Sequence, residues 1–341
     1  MAIAVRSFAK INIGLCIGAR RPDGFHELRT VYQTISLHDT VRVDVQRGTG
    51  VEIRVKDPRV PVDESNTCWR VAERVMKVLA VRGKVVIAID KQLPVQGGLG
   101  AASSNAVATM MGLERVLKTE LPPEERLRIA AEVGSDLPLF LVGGRVLGTG
   151  RGEEVYPLEE LGEMHAVVAT PAVGVSTPQA FKDWDEQFGC GKTVVEGSER
   201  RAACKLTDPG GSGRINKFSH SVLTWLAGSW RQKSAASGVP ADRGGDRAET
   251  PLLDLVRAGI ENDFERVVFP KYPELREVKR LLEREGARYA SLSGSGSALY
   301  GLFQTGEQAE RAAVRLSESG VPAQSTATLT RAEYWRQIFA D

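Results

Sequence analysis

Apolar and polar residues alternate loosely from residue 3 to residue 18 and stop at the turn ARRPDGFH, which predicts a first strand. LRTVYQTISL, TVRVDVQ and VEIRVK keep the same period of two and predict three short strands at hairpin spacing. Over DESNTCWRVAERVMKVLAVRG the period becomes that of an amphipathic helix, with Ser65 and Asn66 available as caps and Gly83 as its stop. KVVIAIDKQLP predicts a strand with an apolar core. A glycine-rich loop and a helix over residues 103–117 follow, then a second helix over PPEERLRIAAEVG with proline in its first turn. LPLFLVGGRVLGTGRGEEVYPL reads as strands around glycine turns, and MHAVVATP as one more strand. Further on, LLDLVRAGIENDFERVV, PELREVKRLLEREG and EQAERAAVRLSESG are helical in period, while ARYASLS, SALYGLF and AQSTATLT are strand-like. The order predicts a mixed α/β chain with a strand-rich first half and a split α/β sandwich in the second.

Between about residues 189 and 250 the pattern lapses. Gly, Ser, Arg and Lys dominate there and only SHSVLTWLAGSW has helical period, so the segment is expected to be an insertion, mostly poorly ordered. With 341 residues and 42% hydrophobic content, the chain can build one large domain or two ordinary ones. Forty-five Lys and Arg against 43 Asp and Glu give no electrostatic reason to expect nucleic acid or an anionic membrane as partner. No apolar run reaches the roughly 18 residues of a spanning helix. Arg6 and Lys10 interrupt the first apolar stretch, which therefore reads as a strand rather than a signal peptide. A cytoplasmic location is expected, with Cys16, Cys68, Cys190 and Cys204 as reduced thiols, since no C-x-x-C pair occurs. His26, His38, His165 and His220 show no i, i+4 spacing, so no protein metal site is expected.

The richest local signal is PVQGGLGAASSNA, residues 94–106. A strand, a glycine loop and a helix start make an anion site, because the first helical N–H groups lack intrahelical partners and the helix dipole adds positive charge. Gly97, Gly98 and Gly100 permit close backbone approach, and Ser103 and Ser104 add hydroxyls. Phosphate is the anion that suits such a site; an ordinary loop with a serine cap is the competing reading. Two imitations fail. GCGKT at residues 189–193 has Glu186 where a P-loop needs its leading glycine, and the Gly98-Leu99-Gly100 run has Ser103 where a dinucleotide fingerprint needs its third.

The same loop resembles the P-x-x-x-G-L-G-x-x-S-S-x-A loop of the GHMP kinases, which phosphorylate small-molecule alcohols with ATP. Within them, FAKINIGLCIGARRPDGFHELRTVYQTISLHD, GSDLPLFLVGGRVLGTGRGEEVYPL, GVSTPQAF, NDFE, YPEL and SLSGSGSALYGLF resemble, in order, the 4-diphosphocytidyl-2-C-methyl-D-erythritol kinase family. The resemblance covers about residues 5–185 and 252–330. It implies an α/β (α+β) GHMP-kinase fold: an N-terminal domain like ribosomal protein S5 over residues 1–160, and a ferredoxin-like C-terminal domain over 161–341 that carries the insertion. It departs from the family at Ala101 and Ala102, where glycine is common, at Phe25, where many members have Tyr, and in the 189–250 segment.

The implied reaction is phosphorylation of the 2-hydroxyl of 4-diphosphocytidyl-2-C-methyl-D-erythritol, a step of the non-mevalonate route to isoprenoid precursors, with ATP and Mg²⁺. By position, Asp136 matches the family's catalytic Asp, although a helix-terminal cap would explain it equally from the residues alone. Lys10 matches its partner lysine, a cation that needs an anion nearby when buried in a strand. Asn12 shares a strand face with Lys10 and would orient the hydroxyl or Asp136. Pro94, Gly97, Gly98, Leu99, Gly100, Ala101, Ala102, Ser103 and Ser104 would hold the nucleotide phosphates, with Asn66 near the adenine and Ser104 within reach of the metal. The resemblance places the cytosine between Phe25 and Phe181 with His26 at its polar edge, and Tyr32 and Thr177 beside it; ordinary core packing is the competing account of each Phe. Ser293, Gly294, Ser295 and Gly296 form a second glycine turn whose N–H groups would meet the diphosphate. The rival functions are another GHMP kinase of homoserine or mevalonate type, and a non-catalytic nucleotide-binding module. RPDGFHEL with STPQAF argues against the first, because those substrates offer no base to stack; Lys10 with Asp136 argues against the second. A monomer or a homodimer is expected.

Overall fold

The computed structural model describes residues 2–160, 162–188 and 260–340. The expected insertion at 189–250 and the first half of LLDLVRAGIENDFERVV lie outside them.

Five strands of the first half form a sheet in the order β3-β4-β2-β5-β6, with β1 paired along β2. Strand β1 (Ile3–Arg20) runs antiparallel to β2 (His26–Gln46) from Ile3 opposite Val43 to Arg20 opposite His26. The two expected strands over residues 28–37 and 40–46 are thus one strand of 21 residues. Polar Ser36, His38 and Asp39 interrupt the alternation without ending the strand, because the register merely shifts between Phe8 and Ala9 of β1. The hairpin expected after β2 does not form. Strand β3 (Gly50–Val55) pairs in parallel with β4 (Lys84–Asp90), and β4 inserts between β3 and β2. The reason lies in burial: Val85, Val86, Ile87 and Ile89 are all buried and suit a central strand, whereas β3 is mostly half-exposed and suits an edge. The parallel pair needs a crossover, which α1 (Thr67–Val78) supplies. This helix ends at Leu79, with Ala80 at a φ of 52°, rather than at Gly83.

Helices α2 (Ala101–Leu117), α3 (Pro123–Val133) and α4 (Leu137–Val142) cover the same face. LPLFLV is therefore helical where a strand was expected; its short apolar run carries no usable period, and Pro138 suits a first turn. Strands β5 (Arg145–Thr149) and β6 (Glu154–Pro157) complete the sheet.

The second half has β7 (His165–Ala169), α5 (Thr177–Phe188), α6 (Glu265–Lys271), α7 (Pro273–Arg284), β8 (Tyr289–Leu292), β9 (Leu299–Phe303), α8 (Gly306–Glu318) and β10 (Ala323–Ala327). Its antiparallel sheet has the order β10-β7-β9-β8, which is the ferredoxin-like arrangement. A last helix, α9 (Arg331–Gln337), was not anticipated. It returns to the first half, where the Tyr334 hydroxyl donates to the Phe140 carbonyl at 2.7 Å and Arg6 N donates to the Ile338 carbonyl at 2.7 Å.

Strand β1 is buried on both faces. Ala9, Ile11 and Ile13 pack with Ala166, Val168, Tyr300 and Leu302 of the second sheet, which puts Phe8, Lys10 and Asn12 on the opposite face. Helix α2 lies against β1 and β2 so closely that a Cβ on Gly112 would meet Val43 Cγ2 at 2.7 Å. Gly112→Val should therefore overpack this contact and lower stability by roughly 1–3 kcal/mol, read from the urea midpoint. An unchanged midpoint would contradict the close approach.

Candidate active site

The first glycine loop joins β4 to α2 and is held in shape from several sides. Gly98 and Gly100 adopt φ of 75° and 72°, and Gly100 occupies the cap position of α2 without any side-chain capping bond. Serine is thus not the cap. Ala101 and Ala102 form the first helical turn, so alanine costs nothing there. The Lys10 backbone N–H donates to the Leu99 carbonyl at 3.0 Å, Ala298 N donates to Gly97 O at 3.0 Å, and Ser293 Oγ donates to Gly98 O at 3.0 Å. A cavity of about 350 Å³ opens over the loop, bounded by Pro94, Gly97, Gly98, Leu99, Gly100, Ala101, Ala102 and Ser103 and, across from them, by Val60, Pro61 and Asn66. Asn66 builds the wall instead of projecting a free amide. It caps α1 by accepting from Cys68 N at 2.9 Å and donates to the Pro61 carbonyl at 2.6 Å. Ser104 is buried on α2 and is not among the residues that line this cavity.

A second cavity, about 650 Å³, lies on the other side of the loop. Lys10 is buried, and its Nζ lies 2.5 Å from Asn12 Oδ1 and 3.5 Å from Asp136 Oδ2. Asn12 Nδ2 donates to Thr30 Oγ1 at 2.8 Å, which fixes Oδ1 toward the ammonium. Asp136 occupies the cap position of α4 but makes no capping bond, so the cap account of this residue fails. Instead Oδ1 accepts from the Tyr32 hydroxyl at 3.0 Å. Burial pushes the Tyr32 hydroxyl well above its ordinary range, with Asp136 adding to the effect, and it stays a neutral donor. Burial lowers Lys10 from its ordinary 10.5, and the charge and hydrogen bonding of Asp136 oppose that shift.

Farther along this cavity stand the aromatic residues. His26 and Phe181 stack, with ring centroids 5.0 Å apart and planes 8° from parallel, and Phe264 meets Phe181 edge-on at 4.9 Å. His26 Nε2 lies 2.7 Å from Asp185 Oδ1, a partner that sequence reasoning missed. Phe25 is 51% exposed at the rim, where the Arg151 guanidinium sits 4.9 Å from its ring centroid. The structure therefore brings Phe25, His26 and Phe181 to one cavity but pairs Phe181 with His26. Thr177 Oγ1 and Ser295 Oγ are 2.7 Å apart and join the start of α5 to the second glycine turn. Gly294 and Ser295 line the cavity, while Ser293 and Gly296 stand behind them against the first loop: a Cβ on Gly98 would lie 2.1 Å from Ser293 O and 3.2 Å from Gly296 O.

The NDFE motif, to which the sequence lent no role, supports this turn. Asn262 Nδ2 donates to the carbonyls of Leu292 and Gly294, both at 2.8 Å, Asp263 Oδ2 accepts from Ile17 N at 2.8 Å, and Glu265 Oε1 accepts from Leu292 N at 2.9 Å. Both cavities are bounded by Gly98 and Gly100, and at that junction Lys10 and Asp136 face the second cavity. Such an arrangement can present an anion held by the loop to a hydroxyl beside a carboxylate.

Residues 66–144 match the GHMP kinases N terminal domain, and residues 249–322 the GHMP kinases C terminal family. A 4-diphosphocytidyl-2-C-methyl-D-erythritol kinase of Solibacter usitatus is 35% identical over 314 residues, 92% of this chain and 85% of the relative. One from Acaryochloris marina is 34% identical over 316 residues, 92% of this chain and 91% of the relative. Among solved structures, a 4-(cytidine 5'-diphospho)-2C-methyl-D-erythritol kinase aligns with a TM-score of 0.68 at 26% identity, over 95% of this chain and 98% of that one. A homoserine kinase from Cytophaga hutchinsonii has the same TM-score at 19% identity, over 96% and 95%, a likeness of fold alone.

The Lys10 environment carries a direct test. The unfolded chain keeps the Lys10 proton to higher pH than the fold does, so stability should rise with pH through the window just below 10.5. Both influences that raise Lys10 come from Asp136, so Asp136→Asn should move its titration, and the start of that rise, to lower pH. NMR titration of the lysine Cε signals checks this. A Lys10 titration unmoved by the substitution would contradict the pairing.

Proposed function

The chain belongs to the 4-diphosphocytidyl-2-C-methyl-D-erythritol kinase family of the GHMP kinases, and from that premise we propose that it transfers the γ-phosphate of ATP to the 2-hydroxyl of 4-diphosphocytidyl-2-C-methyl-D-erythritol. The products are the 2-phosphate and ADP. The observation that carries the reading is the junction: two cavities meet at Gly98 and Gly100, with Lys10 and Asp136 beside it.

The loop cavity takes the nucleotide. Its glycine backbone and the uncapped start of α2 suit the phosphates, and its apolar wall suits adenine. Among the described residues no group of three or more His, Cys, Asp or Glu side chains converges to hold a metal ion. Magnesium would come bound to the nucleotide phosphates, as is usual for an ion that keeps part of its water shell, and would neutralise their charge. In the second cavity Asp136 accepts the proton of the attacking hydroxyl, or orients that hydroxyl where proton loss comes late. Tyr32 holds the carboxylate in place. Lys10, restrained by Asn12, stands beside the Asp136 carboxylate and offers positive charge where the phosphoryl group crosses. Cytosine is received by the aromatic group of Phe25, His26 and Phe181, and the Gly294–Ser295 backbone faces the diphosphate. The base must insert beside the His26–Phe181 stack or displace His26 from it.

An ADP-release assay with the cytidylated methylerythritol, and with homoserine and mevalonate as controls, tests the reading. Turnover is expected with the first alone. Asp136→Asn should reduce it by about two orders of magnitude or more while nucleotide binding changes little. Near-normal turnover of that variant would remove Asp136 from the mechanism.

A further inference from the structure

We propose that Asp39 is a positioning residue that holds both ends of the nucleotide loop, so that affinity for the nucleotide, and not for the alcohol, depends on it. The inference rests on the assignment of the loop cavity to the nucleotide.

Asp39 lies in β2 and has no exposed surface. Its Oδ1 accepts from the backbone N–H groups of Gln92 and Leu93, both at 2.8 Å. Its Oδ2 accepts from Lys91 Nζ at 2.6 Å and from Asn105 Nδ2 at 3.1 Å. Lys91, Gln92 and Leu93 lead into the glycine segment, and Asn105 is the residue of α2 just beyond it. One carboxylate therefore grips the chain on both sides of residues 94–104. Lys91 and Asn105 also line the nucleotide cavity.

The need for such a grip follows from the loop's composition. Glycines have the most backbone freedom to lose and bring no side chains to pack. The middle of the loop is held by Lys10 N, Ser293 Oγ and Ala298 N, all from outside it. Its two ends have Asp39. Only a carboxylate fits, because four donors converge on it and an ionised Asp is all acceptor. An amide at this position would point an NH₂ group at the Lys91 ammonium and the Asn105 amide, and would leave a buried Lys91 without its counter-charge.

The test uses the full chain, calorimetry with a non-hydrolysable ATP analogue, and steady-state kinetics. Asp39→Asn should raise the Kd of the analogue and the KM for ATP by about tenfold or more, with the KM for the cytidylated alcohol little changed. Adding Lys91→Met removes the orphaned charge, so the double variant should regain thermal stability but not nucleotide affinity. Asn105→Ala leaves the Asp39–Lys91 pair intact and should weaken the analogue by about fivefold; it serves if Asp39→Asn does not fold. Unchanged analogue affinity in folded Asp39→Asn or in Asn105→Ala would overturn the inference, as would a parallel rise in both Michaelis constants. Affinity fully restored by Lys91→Met would reduce Asp39 to a counter-ion. If the native protein bound no adenine nucleotide, the assignment of the cavity itself would fall, a result distinct from the others.

Discussion

The two glycine turns touch backbone to backbone, and most of the site follows from that contact. A Cβ on Gly98 would sit 2.1 Å from the Ser293 carbonyl oxygen, a distance no side chain tolerates. The first loop belongs to the sheet of the N-terminal half and the second turn to the hairpin of β8 and β9, so the contact also seams the two halves together. Around it two hydrogen bonds run from the second turn to the first loop: Ala298 N donates to the Gly97 carbonyl, and Ser293 Oγ donates to the Gly98 carbonyl. The two cavities meet where both are lined by Gly98 and Gly100. On the proposed assignment, a phosphoryl group held at Gly98 and Gly100 in the first cavity would have a short path to a hydroxyl in the second.

Lys10 shows what this closeness costs and what offsets it. Strand β1 is buried on both faces because the second sheet packs on one and helix α2 on the other, so an ammonium on β1 loses its water. That desolvation lowers Lys10, and the nearby carboxylate of Asp136 is what opposes the shift. Asn12 completes the arrangement from both halves: its side chain holds Lys10, while its carbonyl accepts from the Tyr300 hydroxyl of β9 at 2.8 Å. Gly100 belongs to the same packing, since a Cβ there would lie 3.1 Å from Lys10 Cγ and 3.0 Å from the Phe140 ring. Charge placement and backbone placement are in this way one constraint.

Local chemistry made the loop, Lys10, Asn12 and the second turn legible in the sequence, because glycine runs and a lone lysine among apolar residues are visible without a partner. Pairings at long range were not. The alternation over residues 28–46 could not reveal a single 21-residue strand, nor could VEIRV announce that its neighbour would be β4 instead of β2. LPLFLV is too short and too uniformly apolar for its period to separate helix from strand. The aromatic residues were found as a set but not in their mutual geometry, since His26 stacks on Phe181 and also bonds Asp185, 159 residues away in the chain. Asp39 looked like an ordinary polar residue at a strand break, and Asn262 stood in the NDFE motif inside an expected helix. What distinguishes them is complete burial among donors or carbonyls drawn from distant segments.

If the two cavities hold the two reactants on either side of Gly98 and Gly100, the phosphoryl group passes directly from one to the other with no covalent stop on the protein. The stereochemical course at phosphorus tests this most directly, using ATP whose γ-phosphate is made chiral by oxygen isotopes. A single in-line transfer predicts inversion of configuration in the phosphorylated product. Retention would require an intermediate phosphorylated on the protein and would contradict the account.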